Sequence, residues 1–486
     1  MKNDGQAESN QPLQKILISQ KDNYSANFGE VLRSSAQFWA IHNPSVSTTI
    51  SFCNYWKFKN SNDVLTLINL RQLDGRLTER IPVKFNDADV VNYTPPMGFE
   101  GSVEVEVFSI KNLRIPYAAI MAVYECDQSI SMLHSYARAY SQHEIEEYRT
   151  LCDGAESCWT LRDSTELTSF CVFHNGSAAT NAQTVKLGIR NSGGKEKVIY
   201  FELPSLLPFQ TIVIEPKNYF SDIVEWLAGE PGNGRLSFKL NGGFTRMLCG
   251  IKNRSNSQIQ VTHSNFDYST HDTDVIGDGR SVAYMRTPTV RAGVAEEIVV
   301  YPDNYRGNYF ISDDNEQRAF STGEIIQKKF PDNQGRLFAF SREDHVFPTR
   351  LVTALRLNTS PSTIPAECSL GVVHHQTPKK HFSWMIVSEQ FNSSICWVDY
   401  KELHAGCPAD AQLALNLYSE LEKIPLTKKM IYHDLPASGT VRLNDIFGTH
   451  FLGTGFGYLT IWCSYGGLTF FSTLEKGDSI SIEHSF

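Results

Sequence analysis

The chain has no long apolar run, no C-x-x-C pair and few helical signals, and only 20% of its 486 residues are charged. No stretch approaches the roughly 18 apolar residues a spanning helix needs, so no membrane span is expected. The N-terminal stretch MKNDGQAESNQPLQKILISQKDNYS is polar throughout and has no apolar centre, which argues against a cleavable secretion signal. The expectation is a cytoplasmic protein with a polar leader over 1–24. Basic residues number 44 against 53 acidic ones, a net charge of −9, and a surface that coats nucleic acid is therefore not expected.

Several chemistries lack their signatures. There is no G-x-x-x-x-G-K-[ST] phosphate loop, no G-x-S-x-G elbow, no H-E-x-x-H zinc helix and no G-x-G-x-x-G after a strand. Gly453-Thr454-Gly455-Phe456-Gly457 precedes an alternating run and reads as a turn. The ten cysteines sit mostly in apolar runs such as Phe170-Cys171-Val172 and Ile461-Trp462-Cys463, where Cys acts as a small buried hydrophobe. Cys152 and Cys158 are the one pair close enough in sequence to consider for a bridge. No metal and no cofactor is expected from motif spacing.

What the chain does contain is a repeat. Three segments share an aromatic-rich run, an alternating strand, a turn, a glycine, a second alternating strand and a final His-Ser. The first runs from Ser51-Phe52-Cys53 through Val64–Leu70 and Ser102–Phe108 to Leu133-His134-Ser135. The second runs from Phe170–Asn175 through Val185–Ile189 and Arg235–Leu240 to Thr262-His263-Ser264. The third runs from Cys396–Tyr400 through Leu413–Leu417 and Tyr458–Ile461 to Glu483-His484-Ser485. Leu67 to His134 is 67 residues, Leu187 to His263 is 76 and Leu415 to His484 is 69.

Alternation within the units is that of strands. Val103, Val105 and Val107 share one face while Glu104 and Glu106 share the other, the pattern of a sheet with one wet face. Turn residues interrupt these runs at short intervals, as in Gln72-Leu73-Asp74-Gly75 and Asn191-Ser192-Gly193-Gly194. The fold class expected is all-β: three tandem antiparallel β-sandwiches, of immunoglobulin or fibronectin type or jelly rolls, with few short helices. The helix candidates are 142–151 and Tyr219–Leu227. Repeat 1 is placed at 25–150, repeat 2 at 151–275, and a linker plus an enlarged repeat 3 at 276–486.

The polar residues that follow the first two His-Ser pairs are the candidate site. His134, Arg138, His143, Glu144 and Glu146 follow in copy 1, and His263, Asp267, His271, Asp272 and Asp274 in copy 2. Imidazole and carboxylate at such spacing can hold a metal or supply an acid and a base, and His263, Asp267, His271 and Asp274 are the catalytic candidates. The alternative is that His-Ser marks the end of each sandwich, because a catalytic group is needed once and this motif occurs three times. His374, His375 and His381 form a second cluster beside Lys379 and Lys380. Phe173, His174 and Asn175, with His134, Arg138 and His143, are binding candidates, since a ring beside hydrogen-bonding groups can stack on a sugar or grip a peptide. Trp159 with Arg162 and Asp163, and Tyr301 with Asp303 and Tyr305, offer the same combination.

The strings FHNG at 173–176, VTHSNFDYS at 261–269 and LHSY at 133–136 resemble those of bacterial β-sandwich proteins encoded beside surface-polysaccharide genes. The resemblance covers mainly the middle copy. It implies a glycan-related role and supplies no catalytic residues. The leading reading is a non-catalytic binding or scaffold protein with a glycan or protein partner. The alternatives are a carbohydrate-active or metal-dependent enzyme with its site near the second His-Ser, and a self-assembling, oligomeric structural subunit. The distances among His134, His263 and His484 separate these readings: convergence favours a metal, and dispersion makes the histidines markers of the fold.

Overall fold

A computed structural model describes residues 32–54, 64–85, 89–109, 120–134, 137–138, 158–240, 244–245, 247–267, 282–303, 305–344, 347–373, 381–400, 410–420, 425–453, 455–465 and 467–485. The fold is all-β and antiparallel, with two α-helices among the described residues, Ile223–Leu227 and Leu443–Phe447, of five residues each. The first lies inside the helix expected over Tyr219–Leu227 and is preceded by a 3₁₀ turn at Pro216–Asn218. It stops at Ala228, whose left-handed φ of 52° ends the helical path. The helix expected over 142–151 lies outside the described residues.

The same eight-strand pattern occurs four times. Copy 1 runs from Leu32–His42 to Ile130–His134, and copy 2 from Cys158–Leu161 to Ile259–His263. Copy 3 runs from Val282–Arg286 to Ala366–Leu370, and copy 4 from His381–Val387 to Ser479–His484. Two-residue strands at Ala137–Arg138 and Phe244–Thr245 pair with each other and lie outside the pattern. Numbering the strands within a copy from one to eight, one sheet has the order 4-3-6-1 and the other 5-2-7-8 in every copy. In copy 1 the two sheets are joined, because its first and second strands also pair at His42 and Ser47. The stretch 276–486, expected as a linker plus one enlarged repeat, thus holds two copies. The earlier of the two ends in Ser369-Leu370-Gly371 and carries no His-Ser, the mark by which repeats were found.

Alternation decides which face is buried. In Asp410–Tyr418, Ala411, Leu413, Leu415 and Leu417 point into the core of copy 4 while Asp410 and Gln412 are exposed. The expected wet face at Glu104 and Glu106 is corrected: both carboxylates are buried. They are compensated there, Glu104 by Arg71 at 3.1 Å and by Asn69, and Glu106 by Asn69 at 2.9 Å and Arg80 at 3.8 Å. The eight cysteines among the described residues are all buried and unbridged; Cys152, the other half of the pair considered above, is outside them.

Apolar clusters join the copies into a closed cycle. Phe170, Val172, Ile259 and Val261 of copy 2 pack into the core of copy 1. Cys158 of copy 2 packs with Val299, Tyr301 and Val352 of copy 3. Phe471, Ile480 and Ile482 of copy 4 join the core of copy 3, and Trp384, Ile386 and Tyr458 of copy 4 meet Met121, Ile130 and Met132 of copy 1. Between copies 1 and 2, Thr211 N donates to Leu73 O at 2.9 Å. Gly75, at φ +86°, lies beside it, where a Cβ would stand 2.1 Å from the Pro208 carbonyl oxygen.

At the centre of the cycle the four closing strands, each the outer member of its sheet, lie against one another. Their open edges are joined by side chains. Ser129 Oγ accepts from Ile259 N at 3.0 Å and Ser131 Oγ from Val261 N at 2.8 Å. Ser479 Oγ accepts from Ile130 N at 3.3 Å and Ser481 Oγ from Met132 N at 2.9 Å. Each pair advances by two residues in the same sense, so these neighbours run parallel. Gln260 Nε2 reaches Ile130 O, Ile480 O and Ser479 Oγ, each at 3.2 Å, and so links three copies at one point.

A buried carbonyl that loses its donor costs about 1–3 kcal/mol. Gln260→Leu keeps the volume and removes one donor from each of two carbonyls, and should lower unfolding free energy by about 1–3 kcal/mol. Urea melts of the variant beside the parent chain measure this; an unchanged midpoint would show that the bundle does not depend on Gln260.

Candidate functional site

The alternation that buries the closing strands also delivers three imidazoles to one place. Ile130 and Met132, Ile259 and Val261, and Ile480 and Ile482 each lie on the face of their strand that packs into a neighbouring copy. The next residue on that face is His134, His263 or His484, the last residue of its strand. The ring centroids of His134 are 4.8 Å from those of His263 and 4.9 Å from those of His484, and His263 and His484 are 6.1 Å apart. The three His-Ser ends therefore converge.

Glu483 completes the group. Its Oε1 lies 3.4 Å from His134 Nδ1 and 3.5 Å from His484 Nε2, and the backbone N–H of His484 donates to the same oxygen at 3.0 Å. One ligand atom from each of the four residues can be chosen so that all lie within 4.8 Å of one another. His134, His263 and Glu483 are at most 5% exposed, whereas the His484 side chain is 28% exposed and forms the wet rim.

Two of the histidines, His263 and His484, are oriented by the residue that follows them. His263 Nδ1 stands 2.8 Å from Ser264 O, and His484 Nδ1 stands 3.4 Å from Ser485 O. A carbonyl only accepts, so Nδ1 carries the proton, and in a neutral ring the Nε2 lone pair is left for the centre of the group. The serines in turn close the strands: Ser264 N donates to Met247 O at 2.8 Å, and Ser485 N to Phe470 O at 2.8 Å.

Sequence reasoning found the three histidines and missed Glu483. The only signal for it is the residue before the histidine, which is Leu133 in copy 1, Thr262 in copy 2 and Glu483 in copy 4. Among the described residues, copy 3 gives no fourth imidazole. Leu370 pairs with Thr353 in the ladder position that His134 takes opposite Met121, His263 opposite Leu248 and His484 opposite Phe471.

The other candidates lie elsewhere. Asp267 is buried and accepts the backbone N–H groups of Asp303 at 3.3 Å and Tyr305 at 3.1 Å; it is not a member of the histidine group. His143, His271, Asp272 and Asp274 are outside the described residues, as are Glu144, Glu146, His374 and His375. Arg138 lies in the two-residue strand Ala137–Arg138, which pairs with Phe244–Thr245. Phe173, His174 and Asn175, named above as binding candidates, are interior to copy 2. Phe173 stacks on Phe238 at 4.4 Å, and Asn175 Nδ2 holds the carbonyls of Ala178 at 3.0 Å and Leu207 at 2.8 Å. Trp159 and Tyr301 are likewise buried, at 1% and 2% exposure.

His174 is 3.0 Å from Thr211 Oγ1. Burial pushes its ring down to about 3, against a smaller upward pull from Glu104.

No protein-family model matches the chain, and no curated protein matches it. Among solved structures, a crystal structure of Salmonella alpha-2-macroglobulin reacted with methylamine is 9% identical, with 93% of this chain and 32% of that one covered and a TM-score of 0.17. A cryo-EM reconstruction of the native conformation of E. coli alpha-2-macroglobulin is 10% identical, with 94% and 28% covered and a TM-score of 0.10. The chain spans about a third of the length of these proteins, and at such scores the likeness carries no argument.

The depressed ring of His174 yields a pH dependence. Between about 6.5, where an unfolded histidine protonates, and about 3, the unfolded chain binds a proton that the folded ring refuses, so stability falls as pH falls. From pH 7 to pH 5 this removes about 2 kcal/mol, and His174→Asn should abolish that share. Urea melts of both chains at the two pH values test it; equal losses in parent and variant would show that His174 is protonated in the folded state.

Proposed function

We propose that this chain is a non-catalytic scaffold, a rigid ring of four sandwiches that presents its outer sheet edges to a protein partner. The observation that carries this reading is the central bundle of closing strands. It commits the 5-2-7-8 edge of every copy to the interior and leaves the fourth strand of each copy at the opposite, outer edge.

Those outer strands are the exposed ones. Leu77–Val83, Glu196–Leu203 and Leu426–His433 are exposed or half-buried at nearly every position. Tyr200 is 66% exposed and Ile431 58%. An open edge with exposed rings and aliphatic groups accepts an added strand through backbone hydrogen bonds, with specificity from alternate side chains. A protein strand is preferred to a glycan as partner because the exposed groups lie along open backbone edges, and because Phe173, Trp159 and Tyr301, the rings considered above for stacking on a sugar, are core residues. The scaffold reading is preferred to an enzyme because Asp267 is committed to backbone amides, and because His134, His263, Glu483 and His484 leave only the His484 rim open to solvent.

The test is turnover. A panel of glycosides, carboxylic esters and phosphate esters should show no hydrolysis above background with the purified chain. A turnover that falls at least tenfold in His263→Ala, with gel filtration and circular dichroism showing the variant folded, would overturn the scaffold reading in favour of an enzyme.

A further inference from the structure

We infer that His134, His263, Glu483 and His484 form a binding site for one divalent transition-metal ion of the zinc class, which fastens three of the four copies at the end of the central bundle. This inference stands whether or not the chain is a scaffold.

The donor set selects the ion. Imidazole suits zinc, copper, nickel and iron, while calcium and magnesium require sites made of oxygen alone. Three imidazoles and one carboxylate therefore favour a borderline ion such as Zn²⁺.

The geometry agrees. Donors about 2.0–2.1 Å from a tetrahedral ion stand roughly 3.3–3.4 Å apart. Glu483 Oε1 is 3.4 Å from His134 Nδ1 and 3.5 Å from His484 Nε2. The widest pairs, at up to 4.8 Å, close by roughly 1.4 Å, shared between two side chains, to reach that edge. Nδ1 of His263 and of His484 is turned to a carbonyl, the outer partner that orients a metal-ligating imidazole and fixes its tautomer. Four protein donors complete a tetrahedron, the arrangement of a structural ion rather than a catalytic one.

Position adds the last argument. The donors come from copies 1, 2 and 4, separated by more than a hundred residues, and meet only when the ring closes. An ion bound there does not bind the unfolded chain in the same way, so binding favours the closed ring. Leu370 leaves copy 3 without a donor in the group; its ties to copy 2 include instead Asn265, whose Nδ2 donates to Ser369 Oγ at 2.7 Å, and the ion pairs of Asp303 with Arg190 and Arg235.

The experiment uses the full chain, stripped with a chelator and titrated with Zn²⁺ and with Co²⁺. The expected results are one ion per chain by elemental analysis, intense visible absorption of tetrahedral Co²⁺, and a higher melting temperature with the ion than without. His263→Ala and His484→Ala should each weaken Zn²⁺ binding about a hundredfold, while His433→Ala, an exposed histidine of copy 4 that pairs with Asp410, should leave it unchanged. Fewer than 0.1 ions per chain after loading, or binding that His433→Ala weakens and His263→Ala does not, would overturn the proposal. If either cluster variant fails to fold, the Co²⁺ spectrum of the parent chain decides: six-coordinate, weak absorption would overturn the site, and tetrahedral absorption would support it.

Discussion

Four sheets end at the centre of this molecule, and the backbone groups on their open edges have to be paired where there is no water. That requirement organises the ring. A strand edge presents alternating N–H and C=O groups, and a neighbour whose own backbone does not align with them cannot satisfy both. Serine solves the problem with a single hydroxyl that both donates and accepts. Ser131 Oγ takes the N–H of Val261 at 2.8 Å and gives its proton to the carbonyl of the same residue at 3.3 Å. The same exchange recurs between Ser129 and Ile259 and between Ser479 and Ile130.

Once the edges are paired in this way, the sandwiches need not be alike where they touch. The contacts between copies 1 and 2 and between copies 4 and 1 combine apolar clusters with hydrogen bonds, and Lys476 of copy 4 pairs with Glu125 of copy 1 at 2.9 Å. The contact between copies 2 and 3 carries charge: Arg190 and Arg235 of copy 2 grip Asp303 of copy 3, and Thr160 donates to Glu367 at 3.0 Å. Glu367 and Glu297 flank the buried guanidinium of Arg356 at 2.9 and 3.4 Å. A buried ion pair of this kind adds little net stability against an apolar substitute, but leaves an uncompensated charge if one partner is lost. Between copies 2 and 3, a pairing of sandwiches that left Asp303 without Arg190 and Arg235 would strand such a charge.

The histidine group follows from the same bundle. A closing strand that buries Ile130 and Met132 on one face must place residue 134 on that face one step further along, and the equivalent step in copies 2 and 4 brings His263 and His484 to the same end. Repetition of His-Ser, which in a single sandwich would mark only the end of a strand, here produces one cluster because the strands share a bundle. The lone acid, Glu483, breaks the symmetry and gives the imidazoles an anionic neighbour.

The amino-acid sequence by itself determined the elements: the alternation of Val103 to Val107 and of Ala411 to Leu417, the turns between them, the buried unbridged cysteines, and the histidine that ends three of the four copies. These are local properties, set by residue type at a period of two and by spacing along the chain. It did not disclose the repeat that ends in Leu370, because the marker was absent, or the burial of Glu104, whose partners Arg71 and Asn69 lie on another strand. It left Phe173 and His174 as binding candidates, since a ring beside Asn and Gly reads the same whether Phe238 covers it or not. Only the tertiary structure decided that four sandwiches close into a ring and that His134, His263, Glu483 and His484 meet. The physical reason is that their meeting depends on strand edges from residues 129, 259 and 479 pairing through side chains, and contacts over such separations leave no pattern in any one stretch of chain.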